Sequence, residues 1–376
     1  MSTSFIRRIT KRTFIWINIA IGILLLLGCY GSWLEPGQFW FTGLLTLSSF
    51  YLVLLLIAFI IFWLFTKPGL VMISIISLLL VYSPLKHLVK IRLSNNFTIS
   101  KANNNIRVMS WNVEHFDILE HKTHPERKLE MIALINNYQP DIACFQEMVG
   151  SDSNPKAINY IPDFLKRMDM PDYYYSYNRK LDFDQNHHFG LITFSKYPII
   201  NKKTISYPPH DYNSIFQYTD ILKAGDTFRV FNIHLQSLKF SGNNLQYIKD
   251  PSMNDETDLE NSKNILSKFK RGFLKREIQS NRIRNEIEKS PYPVIVCGDF
   301  NDVPNSYAYN TIGKGLQNAF AEKGAGIGRT YNGISPTLRI DNIFAGKRFE
   351  VTQFTRLLKK LSDHFPIFAD LYLKKQ

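Results

Sequence analysis

The sequence predicts a layered α/β domain carried behind an N-terminal region of apolar, membrane-spanning helices. Three observations lead there. The first 93 residues hold long stretches without a charge, the remainder alternates short apolar runs with charged, helix-like segments, and most of those runs end beside a polar side chain. Strand and helix signals that alternate in this way are what a layered α/β domain requires.

Thr13–Leu34, Pro36–Thr66 and Pro68–Leu85 contain no Asp, Glu, Lys or Arg, and roughly 20 apolar residues suffice to cross a bilayer as a helix. Spans are therefore expected at about 14–34 and 39–65, with a third at about 69–85, in a transmembrane region 1–93. The third segment is short, carries Ser74, Ser77 and Ser83 and runs into Pro84, so its alternative is an interfacial or re-entrant segment. Arg7, Arg8, Lys11 and Arg12 precede the first span and no Lys or Arg separates it from the second, which puts the amino terminus in the cytoplasm. Three spans then deliver the rest of the chain to the outer face of the cell (inner) membrane, in the periplasm or outside. Lys86, Lys90 and Arg92 pull the other way and leave a cytoplasmic domain as the alternative. Leu26-Leu27-Gly28-Cys29 loosely resembles a lipoprotein processing site, which would also leave the domain outside.

The formal charge of +13 divides into +7 for residues 1–100 and +6 for the remainder, so the second part is only mildly basic. That suits a polyanionic substrate such as nucleic acid or a phospholipid headgroup without demanding one. Cys29 falls in a span, and Cys144 and Cys297 fall in apolar runs, which excludes a disulfide framework and reads as buried free thiols.

Residues 94–104, rich in Asn, read as a polar linker, and 105–376 as the layered α/β domain. Strands are expected near 106–111, 141–146, 190–195, 228–233, 294–297, 339–344 and 365–373, and helices near 125–138 and 261–290, where Ile278, Ile283 and Ile287 recur at roughly helical spacing. Ser237–Asp258, with Gly242, Asn243, Asn244 and Pro251, reads as a long polar insertion that breaks regular structure. Tyr173–Tyr177 reads as an aromatic strand, with base or headgroup contact as the alternative, and His187 and His188 lack the spacing of a zinc site.

Polar residues gather at the run ends: Ser110-Trp111-Asn112, Gln146-Glu147, Asn232-Ile233-His234, Gly298-Asp299-Phe300-Asn301, Arg339-Ile340-Asp341 and Ser362-Asp363-His364. In order and residue type this set resembles the endonuclease/exonuclease/phosphatase superfamily, the DNase I-like phosphoesterases, from about Ile106 to Leu373. The resemblance implies a four-layer α/β sandwich, two sheets face to face with helices outside, which periodicity alone does not separate from a doubly wound sheet. It also implies hydrolysis of a phosphate ester with a divalent metal. Mg²⁺ (or Mn²⁺) prefers carboxylate and amide oxygens, so Glu147 and Asn112 are the expected ligands, with Asp363 adding a ligand or a second site. By resemblance Asp299 orients or deprotonates the attacking water, and Asn301 holds phosphate and nucleophile in register. His364, oriented by Asp341, would stabilise the phosphoryl charge, and His234 would assist the leaving group. Taken singly, Glu147 reads as a solvated carboxylate and either histidine as structural; the ordered set changes that reading.

The chain departs from inositol polyphosphate 5-phosphatases at Val296-Cys297-Gly298-Asp299 and at Thr337-Leu338-Arg339-Ile340-Asp341, and from abasic-site endonucleases at Val113-Glu114-His115-Phe116-Asp117. Asp302–Tyr309 and Gly328–Tyr331 look like uncharacterised membrane-anchored bacterial members. The leading expectation is a membrane-anchored phosphodiesterase acting on nucleic acid. A phospholipase C-like or lipid phosphatase activity is second, and a non-catalytic binding domain third. The bilayer and a polyanionic phosphate ester are the expected partners, with no obligate protein partner. A lipid enzyme should show exposed apolar surface near the site, and a nuclease a basic groove on both sides of it.

Overall fold

The computed structural model describes residues 3–92, 97–115, 123–124, 126–151, 158–177, 187–206, 215–250 and 256–375. Asn95, Asn96, Phe116, Asp117, Pro125 and Pro251, each part of an expectation above, lie outside the described residues. Among the described residues, twelve strands form two six-stranded sheets. The first contains β1 (Asn105–Asn112), β2 (Ile142–Ser151), β3 (Asp172–Tyr177), β4 (His187–Ser195), β11 (Phe349–Arg356) and β12 (Ile367–Leu373), in the order β11-β12-β1-β2-β4-β3. The second contains β5 (Ile199–Ser206), β6 (Ile215–Lys223), β7 (Asp226–His234), β8 (Val294–Asp299), β9 (Gln317–Asn318) and β10 (Asp341–Ala345), in the order β5-β6-β7-β8-β10-β9.

Alternation within the strands explains the layers. Val108, Cys144, Val230, Cys297 and Ile343 point into one shared core between the sheets. Their neighbours point outward, Trp111 and Phe145 into a core with Met131, Ile135 and Phe164, and Phe231 and Val296 into another with Ile283, Ile287 and Ile312. The helices Glu126–Tyr138 and Ile161–Met168 cover the first sheet, and Glu256–Glu288 and Tyr307–Gly313 the second. Central strands covered on both faces are apolar at most positions, which is why they read as near-continuous runs.

Each sheet has one central parallel pair, β1 with β2 and β7 with β8, while the other pairings are antiparallel. The parallel strands exit at one rim of the sandwich, and their antiparallel neighbours β10 and β12 enter at that rim. This corrects the placement of two motifs. Arg339 and Ile340 precede β10, so Asp341 opens a strand, and Asp363 and His364 lead into β12. Ser237–Asp258 is corrected too, because Gly242–Lys249 is a helix. Ser241 accepts from the Asn244 amide and the Asn244 side chain accepts from Ser241, a reciprocal cap that outweighs the breaking tendency of Gly242.

Two helices, Ile6–Trp33 and Phe41–Thr66, are long and apolar enough to cross a membrane, and Pro68–Leu80 with Tyr82–Leu88 forms a pair bent by 68°. Ser74 and Ser77 of the third segment face inward, whereas Ser83 is exposed: Asn18 donates to Ser74 at 2.8 Å, and a Cβ on Gly22 would meet Ser77 Oγ at 2.4 Å. Small residues admit close helix approach of this kind. The domain is fastened to one end of the bundle. Gly37 N donates to Glu277 (2.7 Å), Asn310 to Ser32 (2.6 Å) and Asn305 to the Pro84 carbonyl (3.1 Å), while Tyr51 and Ser335 share a hydrogen bond of 2.8 Å. The buried Arg339 donates to the His87 and Leu88 carbonyls.

Gly298 lies inside β8, not in a turn after it, at φ 148°. A Cβ there would meet the Ile233 carbonyl oxygen of β7 at 1.9 Å. Gly298→Ala should therefore destabilise the domain by on the order of 3 kcal/mol, seen as a lower thermal unfolding midpoint of the detergent-solubilised protein.

Candidate active site

The rim where the parallel pairs exit gathers the expected site residues. Asn112 ends β1, and His234 and Asp299 end β7 and β8 in register with each other, with Asp341 opposite Asp299 on β10. Glu147 is not at a strand end: β2 continues to Ser151, and its register with β4 shifts between Phe145 and Met148. Glu147 takes φ 57° in that bulge. A bulge re-aims a side chain, here toward Asn112, while left-handed backbone at a non-glycine residue is a strain found at functional sites.

Asp299 is the hub. Its residue has no solvent exposure, and it accepts from Asn301 N (2.7 Å), Asn301 Nδ2 (3.1 Å) and Asn112 Nδ2 (3.3 Å). His234 Nε2 stands 3.5 Å and His364 Nε2 3.6 Å from the same Oδ2. Burial opposes ionisation of Asp299, yet His364 and His234 hold its pKa below the usual carboxylate value. Glu147 completes the group, accepting from Asn112 Nδ2 at 3.3 Å and lying 3.7 Å from His234 Nε2. Asn301, at φ 49°, is fixed by donating to the Leu235 carbonyl at 2.9 Å.

His364 Nδ1 lies 2.8 Å from Asp341 Oδ2, and the backbone amides of Ile340 and Asp341 both donate to Thr330 Oγ1. The loop that carries His364 is tied to β1: Trp111 Nε1 donates to the His364 carbonyl (2.9 Å), and Ser362 Oγ to the Asn112 carbonyl (2.8 Å). Asp363 lies at the mouth, its Oδ1 3.9 Å from His364 Nε2, with its pKa raised by burial and by Glu147 and Asp299 against the pull of His364. All eight expected residues are thus near one cavity or its hydrogen-bonded surround. His187 and His188 lie elsewhere, in β4, where His187 accepts from Ile158 N and His188 stacks on Tyr177.

Several contributors were given no role from sequence. Gln146 donates to Asn232 Oδ1 at 2.8 Å, a buried bridge between the two sheets directly beneath the rim. His115 Nε2 lies 3.3 Å from Glu147, and Glu114 accepts from the Asp363 amide at 2.9 Å. Both belong to the stretch that follows Asn112, where φ of 45° and 58° turns the chain back over the site. Tyr331 packs against His364 with ring centroids 5.1 Å apart, its pKa pushed up to about 12 by burial and by Asp363. Gln146 and Asn232 belong to the motifs themselves, Glu114 and His115 follow Trp111-Asn112, and Tyr331 closes the segment Gly328–Tyr331.

Hard oxygen donors that converge in this way fit a divalent cation such as Mg²⁺ or Mn²⁺. Glu147 lies beside Asn112, whose Nδ2 donates to it while its Oδ1 accepts from Glu114 N at 3.1 Å, and ligand atoms of Asp299, Asp341 and His364 lie within 4.8 Å of one another. In the second group the 2.8 Å contact already commits His364 Nδ1 to Asp341; in the first, Glu147 supplies a carboxylate and Asn112 would ligate with its amide turned to present Oδ1. Burial favours neutral His364, but Asp341 and Asp299 outweigh it and lift its pKa well above 6.5. The stability from this charged pair is complete below pH ~6.5, the unfolded value, and is lost as pH rises through the raised folded value. Asp341→Asn should move the His364 titration back down, which NMR of histidine-labelled protein would follow.

Comparison with known proteins is consistent with this geometry. The Endonuclease/Exonuclease/phosphatase family model matches residues 109–364, and a domain of unknown function (DUF8431) matches residues 11–88. No curated protein matches the chain. Similar solved structures include an endonuclease/exonuclease/phosphatase from Beutenbergia cavernae, 16% identical, covering 72% of each chain at a TM-score of 0.48. The human Nocturnin catalytic domain with bound sulfate is 19% identical, over 72% of this chain and 94% of that one, at 0.49. A family protein from Bacteroides thetaiotaomicron is 17% identical, over 72% and 99%, at 0.46. With its family match spanning both sheets and the whole rim, the chain belongs to the Endonuclease/Exonuclease/phosphatase family.

Proposed function

We propose that this protein is a membrane-anchored, divalent-metal-dependent phosphoesterase that hydrolyses its substrate by in-line attack of water. The observation that carries the reading is the convergence of Asn112, His234, Asn301 and His364 on the buried Asp299 carboxylate at the rim, with Glu147 beside Asn112 and His234. A cation held by Glu147 and Asn112, with Asp363 at the mouth, would draw charge from the phosphoryl oxygens and steady the leaving alkoxide.

The chain's own groups account for the rest. Asp299, with its low pKa, accepts a hydrogen bond from the attacking water and orients it. His364, kept protonated by Asp341, presents Nε2 to a phosphoryl oxygen, and Asn301 steadies phosphate and water together. As the water oxygen bonds to phosphorus, the P–O bond to the ester alcohol breaks. The leaving oxygen takes a proton from His234, and the water's proton passes by way of Asp299 to solvent. Burial alone would lower the His234 pKa, but Asp299 and Glu147 raise it, which suits a proton donor.

The domain is proposed to lie outside the cytoplasm. It is fastened to the bundle through Ser32, Gly37, Tyr51 and Pro84, whereas Arg7, Arg8, Lys11, Arg12 and Lys67 belong to the opposite end, where Phe14 stacks on Phe62 at 5.1 Å. Positive charge marks the cytoplasmic end.

Two measurements test these statements. The full-length protein should hydrolyse bis(p-nitrophenyl) phosphate with Mg²⁺ or Mn²⁺ and lose that activity in EDTA. Glu147→Gln and Asp299→Ala should each lower kcat/KM by roughly a hundredfold to ten-thousandfold, and wild-type rates in both would refute the mechanism. For topology, the three native thiols are buried, so an exposed Lys375→Cys in spheroplasts should react with an impermeant maleimide while Thr10→Cys stays protected. The reverse pattern places the domain in the cytoplasm.

A further inference from the structure

The site opens into a cavity of about 490 Å³ whose far walls are built of different material from its floor. The floor holds Asn112, Glu147, His234, Asp299, Asn301 and His364. The walls include Leu47 and Tyr51 of the membrane helix, Leu245 and Ile248 of the helix Gly242–Lys249, Phe269 of the long helix and Leu338. A membrane-spanning helix thus supplies part of the wall of a phosphoesterase site, and the hydrogen bond between Tyr51 and Ser335 holds it there.

The apolar wall is continuous with the lipid-facing surface. Leu47, Tyr51, Leu54 and Leu55 fall at spacings of four, seven and eight residues, one face of the helix. Tyr51, Leu54 and Leu55 are exposed at 44%, 48% and 47%, so the stripe runs from the cavity into the surface that hydrocarbon would cover. Opposite it, Phe240, Phe269 and Phe273 pack in succession, with ring centroids 5.6 and 6.0 Å apart. Lys268 pins the facing helix by donating to Asn244 and to the Lys239 carbonyl.

The lining is poor in the groups that recognise a nucleic-acid backbone. Apart from histidine its cationic side chains among the described residues are Lys239 and Arg276, and Arg276 is buried and paired with Asp302 at 3.0 Å. Phosphate tracking along a strand requires a run of Lys and Arg. A catalytic phosphate site at one end and a hydrocarbon-compatible slot open to the bilayer at the other match an amphiphile.

Resting on the phosphoesterase reading above, we infer that the substrate is a membrane lipid phosphoester. Its phosphate reaches the Asp299 rim while its hydrocarbon chain lies between the span Phe41–Thr66 and the helix Gly242–Lys249. Hydrolysis adds water across one P–O bond, releasing the alcohol on one side and the phosphate-bearing fragment on the other.

The test uses full-length protein in mixed micelles with Mn²⁺. Turnover is compared for bis(p-nitrophenyl) phosphate, for supercoiled plasmid, and for a panel of lipids: phosphatidic acid, phosphatidylglycerol, phosphatidylethanolamine and a polyprenyl phosphate. Each glycerolipid is presented with hexanoyl and with palmitoyl chains. At least one lipid should be hydrolysed, its long-chain form preferred in kcat/KM by about tenfold or more. That preference should collapse toward unity in Leu47→Trp and in Leu245→Trp, which fill the slot from separate elements. The ratio is read within one preparation, so partial misfolding cancels. Turnover of the soluble diester without turnover of any lipid, absence of chain-length preference, or plasmid cleavage faster than any lipid hydrolysis overturns the lipid inference and leaves the phosphoesterase reading standing. If the folded protein turns over none of these substrates, the proposed function falls and this inference with it.

Discussion

A carboxylate with no solvent exposure sits at the meeting point of two sheets, and the site is organised around keeping Asp299 ionised there. Burying such a charge costs several kcal/mol unless hydrogen bonds and opposite charge compensate. The compensation comes from three directions. Asn301 supplies two donors from the same chain turn, Asn112 reaches across from the other sheet, and two histidines flank the carboxylate. Removing the Asn112 amide would therefore weaken more than a ligand, because it joins the charge of one sheet to the Glu147 bulge of the other.

That arrangement depends on features farther down the strands. The parallel pairs β1/β2 and β7/β8 send four chain exits to one rim, and Gly298 lets the β7 backbone come close to β8. The Gln146–Asn232 bridge locks the two sheets in mutual register just below. The two inter-sheet thiols are spectators: burial and the neighbouring Cys144 hold Cys297 well above the ordinary thiol value, so neither nucleophilic nor metal chemistry is to be sought there.

The N-terminal apolar helices take a structural part in the domain. Arg339, two residues before Asp341, donates to carbonyls at the end of the bundle, and Tyr51 of the second long helix holds Ser335 in the same loop. The loop that presents the His364 partner is thereby fixed against the anchor. A substrate that never leaves the bilayer gains effective concentration from such an arrangement.

The layered α/β class, the apolar helices and the residues of the rim were legible in the sequence, since buried strands need unbroken apolar runs and the polar side chains beside them stand out. The edge strands β5 and β11 were not, because residues such as Asn201-Lys202-Lys203 carry charges that mask the pattern, and β6 was not because the buried polar residues Gln217, Thr219 and Asp220 interrupt its apolar run. Nor was the bulge at Glu147, which depends on the register with β4, or the helix Gly242–Lys249, which depends on a reciprocal cap. The sequence by itself determined which side chains are available at the rim and that they follow helices apolar enough to cross a membrane. Only the tertiary structure decided that the anchor's own helix closes one wall of the cavity over them, because contacts between Tyr51 and Ser335, or Phe273 and Gly43, join residues hundreds of positions apart and leave no periodic trace in the chain.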